Sequence, residues 1–508
     1  MDMSLQKRFA PGPRILLLSL SVLGCCALVS FVHADASLAA VPTAGNACVA
    51  SDGKITGRGA SYQAHAEAFF IEKYDQLCGS VASQGANDPT EYELYKLVGA
   101  PAGHGMIAYN YPADESVKGF TGTGAGAGLK AAICRTDAYA GDSLPYTEAQ
   151  LAELNAAPTT GTKACTFPFD PPFQPQVTPN GKGEYEYANS NDVQAKIMSV
   201  PVAGTATSIP VNLAGSCTNG TPTALEFNAQ EVSRIFGGDA KTWNDPELVA
   251  NNSILGSSGD ECSGAITRVV RPDSAGTTEI FKQYLVDTAN TRPGTLTCDV
   301  TKTWKEYQSP NTIWPGLKPE SETGCSPVVN TQASGGPAEV EEIQKTNGGV
   351  GYADLPDAEA NLGTLFLPTV ESATDTQSYQ APNKAKGANC NFNSLTLPGL
   401  TANEAVGLNT SENWATNSPV NHQSAVDLGT AYPICGVTFD LVYTGLDNNS
   451  NANNAITPLT ADQRRTLYGY FTSTVLSSYG QSGLSGIYYA PLPSGWLPTL
   501  EAGFQANF

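Results

Sequence analysis

Histidine is scarce in this chain of 508 residues: four occur, at positions 33, 65, 104 and 422, and none clusters with cysteines or carboxylates. A zinc or haem centre built on imidazole therefore has no ligand set. Basic residues are also in deficit, with 27 Lys and Arg against 48 Asp and Glu and a formal net charge of −21. Such a chain attracts neither nucleic acid nor an anionic membrane. An anionic ligand would meet an opposing overall field, so local N–H donors and one or two placed cations would have to supply the affinity. No pair of cysteines stands at C-x-x-C spacing, no repeat of fixed period appears, and no nucleophile elbow is present. These gaps argue against a redox dithiol, a solenoid and an extracellular hydrolase.

What is present begins with an export signal. Lys7, Arg8 and Arg14 precede the apolar run Ile15 to Val32, and Val32-His33-Ala34 resembles a small-residue cleavage site. Residues 1–34 read as a secretory signal peptide. The run nearly suffices to span a bilayer, so an uncleaved anchor is the alternative. Cys25, preceded by Val22-Leu23-Gly24, makes a poor lipid-attachment site. Cleavage removes Asp2, Lys7, Arg8 and Arg14, a net +2, and leaves −23 on the mature chain. Of 12 cysteines, Cys25 and Cys26 lie in the signal segment. The even number left in an exported chain indicates disulfides, and neighbours such as Cys217 with Cys262 and Cys298 with Cys325 could pair. A mature length of about 470 residues exceeds what a single core usually supports, so two or more lobes are expected.

Residues 35–52 form a small, polar leader. Lys54 to Gly57 reads as a strand that enters Arg58-Gly59-Ala60-Ser61-Tyr62-Gln63, after which Ala66, Phe69, Phe70 and Tyr74 mark the buried face of a helix. Residues 80–118 are irregular, with a short strand expected near Met106 to Tyr109. A glycine run follows from Gly119 to Lys130, but a dinucleotide site would need an acidic residue about twenty positions on, and Asp137 and Asp142 come too early. The proline-rich residues 156–192 suggest a surface flap, and Met198 to Leu213 supplies strands resembling a crossover between lobes. Asn228 to Gly238 is a short helix closed by glycine, leading to an exposed Trp243-Asn244-Asp245-Pro246 turn.

The pattern of strand, small loop and helix returns at Ile266 to Leu285. Ile266-Thr267-Arg268-Val269-Val270 reads as a buried strand, and Ile280, Phe281, Tyr284 and Leu285 form one apolar helix face. Between them, Arg271-Pro272-Asp273-Ser274-Ala275-Gly276-Thr277 leaves backbone N–H groups open at a helix start, where the dipole is positive. Such a loop can cradle an anion, although an ordinary capped helix explains the same residues. Further on come a loop bearing Trp304 and Trp314, a helix Ala338 to Thr346 and a strand Gly349 to Ala353. Residues 357–430 carry no clear element signal, and Tyr432 to Tyr443 reads as a strand pair. Thr460-Ala461-Asp462-Gln463 is a capping box opening a helix to about Tyr479. His65 and Lys130 read as exposed helix residues.

Four segments in this order resemble the periplasmic phosphate-binding proteins that feed phosphate ABC importers. They are Gly57 to Tyr62, the Gly122 to Lys130 loop with Asp142, Arg271 to Thr277, and Tyr432-Pro433-Ile434-Cys435 with Tyr489-Ala490-Pro491-Leu492-Pro493. The resemblance implies an α/β, two-lobed periplasmic-binding-protein-like fold with a ligand cleft and two crossover segments. Residues 53–200 and 432–508 would form lobe I and residues 201–431 lobe II. It further implies a monomer that binds inorganic phosphate without chemistry or cofactor, with an ABC permease as its partner. The ligand contacts carried over are Ser61, Tyr62, Gly124, Ala125, Gly126, Asp142, Arg271, Ser274, Ala275, Gly276 and Thr277, with Asp273 orienting Arg271. Asp142 would accept a proton from the ligand, admitting monohydrogen phosphate and penalising sulfate. Ala125 and Ala275 stand where the family usually has serines. Each missing hydroxyl bond to a charged group removes about 1.5 to 3 kcal/mol. The alternative is an exported structural or interaction protein on the same scaffold with weakened or altered oxyanion binding.

Overall fold

The computed structural model describes residues 55–78, 107–110, 139–142, 197–218, 222, 224–256, 261–273, 275–291, 314, 331–392, 429–443 and 461–507. All of them belong to one compact unit, Ala39–Phe508. Along the described chain the first elements are β1 (Ile55–Gly59), α1 (Ala64–Cys78), β2 (Ile107–Asn110), β3 (Tyr139–Asp142), β4 (Ile197–Ser208) and β5 (Glu226–Phe227). Next come α2 (Ala229–Gly237), α3 (Pro246–Asn251), β6 (Thr267–Val270), α4 (Gly276–Thr291), β7 (Thr331–Gln332) and α5 (Gly336–Lys345). They are followed by β8 (Gly349–Val350), β9 (Ala353–Asp354), α6 (Leu355–Ala360), β10 (Thr369–Glu371), β11 (Tyr379–Gln380), β12 (Asn383–Lys384) and β13 (Gly387–Ala388). The last are β14 (Cys435–Tyr443), α7 (Ala461–Tyr470), α8 (Ser478–Gln481) and α9 (Leu497–Asn507).

The largest sheet runs β2-β1-β3-β14-β4-β9. Strand β1 is parallel to both β2 and β3, and the chain steps from one flank of β1 to the other between them. At such a reversal, beyond the carboxyl ends of the strands, open α/β sheets bind ligands. Gly59 is required at this edge, since a Cβ there would lie 2.1 Å from the Gly141 carbonyl oxygen. A second sheet, β7-β6-β8, repeats the plan: β6 is parallel to both neighbours and feeds α4 directly. The long strand β4 joins the two regions. It pairs antiparallel with β14 from Ile197 to Ala206, with a register shift at Thr438/Phe439, and its far end pairs with β9.

Packing around the second sheet is aromatic. Phe281 stacks on Tyr352 at 4.9 Å between ring centroids, Tyr352 on Trp314 at 5.0 Å, and Phe236 meets Phe281 edge-on at 4.6 Å. Helix α2 is locked at both ends. Asn228 and Glu231 form a reciprocal capping box, and Gly238 closes the helix at φ 89°. The buried Arg268 guanidinium donates to the Ile235 carbonyl, an acceptor the helix end leaves open, and at 2.6 Å to the Ala240 carbonyl just beyond it.

Several expectations change here. Trp243 is buried, not exposed: its indole stacks on Phe227 and donates 3.2 Å to the Gly348 carbonyl, so the ring that looked like a turn residue is core. His65 is likewise buried, held 2.8 Å from Asp357. Met198 to Leu213 yields one strand, β4, because small residues let it run unbroken under β14; Gly204 has the Phe392 ring where a side chain would be. Tyr432 to Tyr443 also gives one strand, β14, and Gly349 to Ala353 is split between β8 and β9. The helix expected to run from Thr460 to about Tyr479 stops early, as α7. After Tyr470 the backbone widens into a π turn, Phe471–Val475. There the hydroxyls of Thr472, Thr474 and Ser477 bond carbonyls four residues back, and Ser477 then caps α8.

The strand expected near Met106 is β2, one residue on. Cys217–Cys262 is bonded as anticipated, whereas Cys390–Cys435, which ties β14 to the segment after β13, was not anticipated. Cys298, Cys325, the signal segment, Lys130, Trp304 and residues 156–192 lie outside the described residues. No described helix is long and apolar enough to cross a membrane.

Burial raises the Glu231 carboxyl to about 8, outweighing the bonds it accepts from the Asn228 amide and Asn251. The folded chain therefore binds this proton more tightly than the unfolded chain. The resulting stability is complete below about pH 4.5 and is lost as pH rises through about 8. Glu231→Gln, which keeps an acceptor for the Asn228 amide, is expected to flatten the fall in melting temperature across that interval in thermal unfolding at stepped pH.

Candidate functional site

Two helix starts lie close to β14. The first follows β1, where the Ala60 amide donates 3.0 Å to the Gly141 carbonyl and Ser61–Gln63 forms a single turn of 3-10 helix into α1. Tyr62 points inward: its hydroxyl donates 2.6 Å to the Thr205 carbonyl of β4, and its own carbonyl accepts 2.8 Å from the Tyr489 hydroxyl. Burial, then the nearby Asp354, push its phenol well above the usual range. Gly436 of β14 lies between the two starts, since a Cβ there would lie 2.2 Å from Ile280 of α4 and 3.2 Å from the Tyr62 hydroxyl.

The second start is the loop from β6 to α4. Arg271 is completely buried, and its guanidinium meets the Asp273 carboxylate in a fork, with Nε donating 2.7 Å to Oδ1 and Nη2 donating to Oδ2. The two-pronged geometry holds both groups in one plane. Tyr352 supports the loop from below, its hydroxyl accepting 3.3 Å from the Arg271 amide and lying 2.9 Å from the Thr278 hydroxyl. Asp273 also accepts 3.3 Å from the Gly335 amide at the start of α5. Thr277, in the first turn of α4, donates its hydroxyl to Asp354 of β9.

Of the residues expected to bind, Ser61 (3 % exposed), Tyr62 (1 %), Arg271 (0 %), Ala275 (2 %) and Thr277 (0 %) are all buried. Asp354 accepts from Thr277 and also raises the Tyr62 phenol, and Asp357 three residues on is bonded to His65 of α1, so the first turns of α1 and α4 reach the same acidic segment. Gly276 opens α4, and Asp142 ends β3 opposite Phe439 with its side chain outside the described set. Gly124, Ala125, Gly126 and Ser274 lie outside the described residues. A separate cavity of about 590 Å³, lined by residues including Lys384, Asn389, Phe392 and Ser485, opens beside the β12–β13 hairpin. It is not where the helix starts meet.

The carboxyls that surround Arg271 were not foreseen. Glu339 of α5 is fully buried and accepts 3.3 Å from the Tyr352 amide; burial lifts it well above the carboxylate range, with Arg271 opposing. Asp354 is raised to about 7 by burial, then by Asp357, with Arg271, Thr277 and His65 opposing. Asp357 of α6 pairs with His65 of α1. The run Gly351-Tyr352-Ala353-Asp354-Leu355-Pro356-Asp357 carries the one available signal, two acids bracketing a strand-to-helix junction. Among the described residues, no His, Cys, Asp and Glu group is arranged to hold a metal ion.

Residues 179–403 match the family model of the PBP superfamily domain. A curated phosphate-binding protein from an unknown prokaryotic organism is 30% identical over 106 residues, 21% of this chain and 24% of that protein. The match thus spans about a quarter of the curated relative's length. The fold resembles a human phosphate binding apolipoprotein at TM-score 0.51 and 18% identity, over 88% of this chain and 94% of that one. It also resembles PfluDING, a high-affinity periplasmic phosphate-binding protein bound with phosphate, at TM-score 0.50 and 18% identity, over 88% of this chain and 93% of that one. The chain adopts the two-lobed, periplasmic-binding-protein-like α/β fold.

Removing the Tyr489 hydroxyl tests the closure around Tyr62. Tyr489→Phe leaves the buried Tyr62 carbonyl without its 2.8 Å donor and is expected to lower unfolding stability by about 1 to 2 kcal/mol in urea titration. Tyr379→Phe, at a half-buried bond to Asn251, serves as the comparison and is expected to change stability by less.

Proposed function

From the PBP superfamily domain at residues 179–403, we propose that this chain is an exported solute-binding protein that holds inorganic phosphate between two lobes and performs no chemistry on it. The observation that carries the reading is a completely buried guanidinium at the start of α4, its orientation set by Asp273, with the Thr277 hydroxyl in the first turn of the same helix. Backbone N–H groups at a helix start favour an oxyanion, and a fork-held arginine matches its geometry. The phosphate named for the relatives supplies the ligand class. Ser61, Tyr62, Asp142, Arg271, Ala275, Gly276 and Thr277 are the proposed contacts, joined by Gly124, Ala125, Gly126 and Ser274.

Residues 53–200 with 432–508 constitute the proposed lobe I and residues 201–431 lobe II. The buried positions of Ser61, Arg271 and Thr277 support hinge opening as the route of ligand entry. Residues 1–34 direct export, and an ABC permease receives the ligand. Selectivity falls to Asp142, whose acceptor-only carboxylate tolerates an oxyanion that carries a hydrogen and repels one that does not. Ala275 contributes its backbone N–H alone.

Calorimetric titration of the cleaved, oxidised chain with phosphate, arsenate and sulfate tests this. Saturable heat with phosphate and arsenate is expected, and no response to phosphate at millimolar concentration would sink the reading. Arg271→Gln is expected to weaken phosphate binding by about 1.5 to 3 kcal/mol, read as the shift in Kd. Asp142→Asn is expected to narrow the gap between phosphate and sulfate; unchanged selectivity removes the role assigned to Asp142.

A further inference from the structure

The interior where the helix starts meet already holds more negative than positive groups. Arg271 is matched by Asp273, and His65 by Asp357, each pair within hydrogen-bond distance. Asp354 accepts from the neutral Thr277 hydroxyl, and among the described residues no cation forms an ion pair with it. Its second oxygen, and that of Asp357, are buried without a hydrogen-bond partner among the described residues. Both oxygens face the start of α5, where a Cβ on Gly336 would lie 1.9 Å from Asp357 Oδ2 and 3.3 Å from Asp354 Oδ2. The titratable groups that bear on Asp354 come from every side. They are His65 of α1, Tyr62 of the turn before it, Arg271 of the β6 loop, Glu339 of α5, Asp357 of α6 and Tyr489 near the C-terminus.

We propose that Asp354 is a second proton-reading carboxyl of the anion site, and that it takes up a proton when phosphate binds. The inference rests on the phosphate reading above. An anion that engages Thr277 must share the hydroxyl that Asp354 now holds. Two like charges in a dry interior cannot both stay ionised at short range, so the carboxylate is the group that yields. Once neutral, Asp354 changes from acceptor to donor, and its O–H can bond an anion oxygen. Asp354 is suited to this step because it holds the Thr277 hydroxyl that the anion needs, and burial and then Asp357 raise it to about 7.

The same exchange sets the direction of the pH effect. Binding that draws a proton onto the protein weakens as pH rises.

Phosphate titration calorimetry of the full oxidised chain in Pipes, Hepes and Tris at about pH 7 counts the protons exchanged. Phosphate's own ionisation is common to every variant and cancels in the comparison. Wild type is expected to take up more protons than Asp354→Asn, since the variant lacks the carboxyl that gains a proton on binding. Asp357→Asn removes the like charge that raises Asp354, so the pH of maximal uptake is expected to move down. That measurement stands even if Asp354→Asn does not fold. Phosphate binding with the same proton count in wild type and Asp354→Asn, or with a maximum unmoved by Asp357→Asn, overturns the inference alone. Absence of phosphate binding by wild type overturns the phosphate reading and this inference with it.

Discussion

A guanidinium does not leave water without a partner, and the burial of Arg271 organises much of what surrounds it. Asp273 meets it in a fork two residues later, which obliges the chain to turn tightly before α4 begins. Tyr352 anchors the turn through its amide contact, and the Phe236, Phe281 and Trp314 rings hold Tyr352 in place. The desolvation cost of such a charge is several kcal/mol unless its bonds are met. The aromatic packing and the carboxyls gathered nearby are the response to that constraint.

The two sheets answer a second requirement, that two helix starts reach one place. In each, a central strand has its later neighbours on opposite flanks and passes straight into a helix: β1 into α1, β6 into α4. Neither start alone encloses anything. Pairing of β4 with β14 fixes the first sheet, and the far end of β4 continues to β9, which delivers Asp354 to Thr277. Small residues make this approach possible: Gly59 against Gly141, Gly436 against Ile280 and Tyr62, Gly336 against Asp357.

Much of this was legible in order along the chain. The strands β1, β2 and β6 and the helices α1, α2 and α4 follow from hydrophobic period and caps, because those signals are local, whereas the Cys217–Cys262 bond was only one of the pairings left open. Trp243 and His65 were read as exposed for the opposite reason. Burial of one aromatic or one imidazole depends on partners far along the chain, Gly348 for Trp243 and Asp357 for His65. The break after Tyr470 was hidden because threonine and serine hydroxyls compete with helix bonds only where neighbours hold their rotamers.

Composition and pattern by themselves determined the acidic character of the chain, its alternating strand-and-helix order and the small-residue loops that end at Ser61 and Thr277. They also placed Arg271 beside Asp273, since a pair two residues apart is a local fact. Tertiary structure alone decided what surrounds that pair. Asp354, Asp357, Glu339 and His65 come from separate elements, and their charges interact only once water is excluded between them. Proton affinity is a property of the enclosed space, so no reading of the chain in one dimension could assign it.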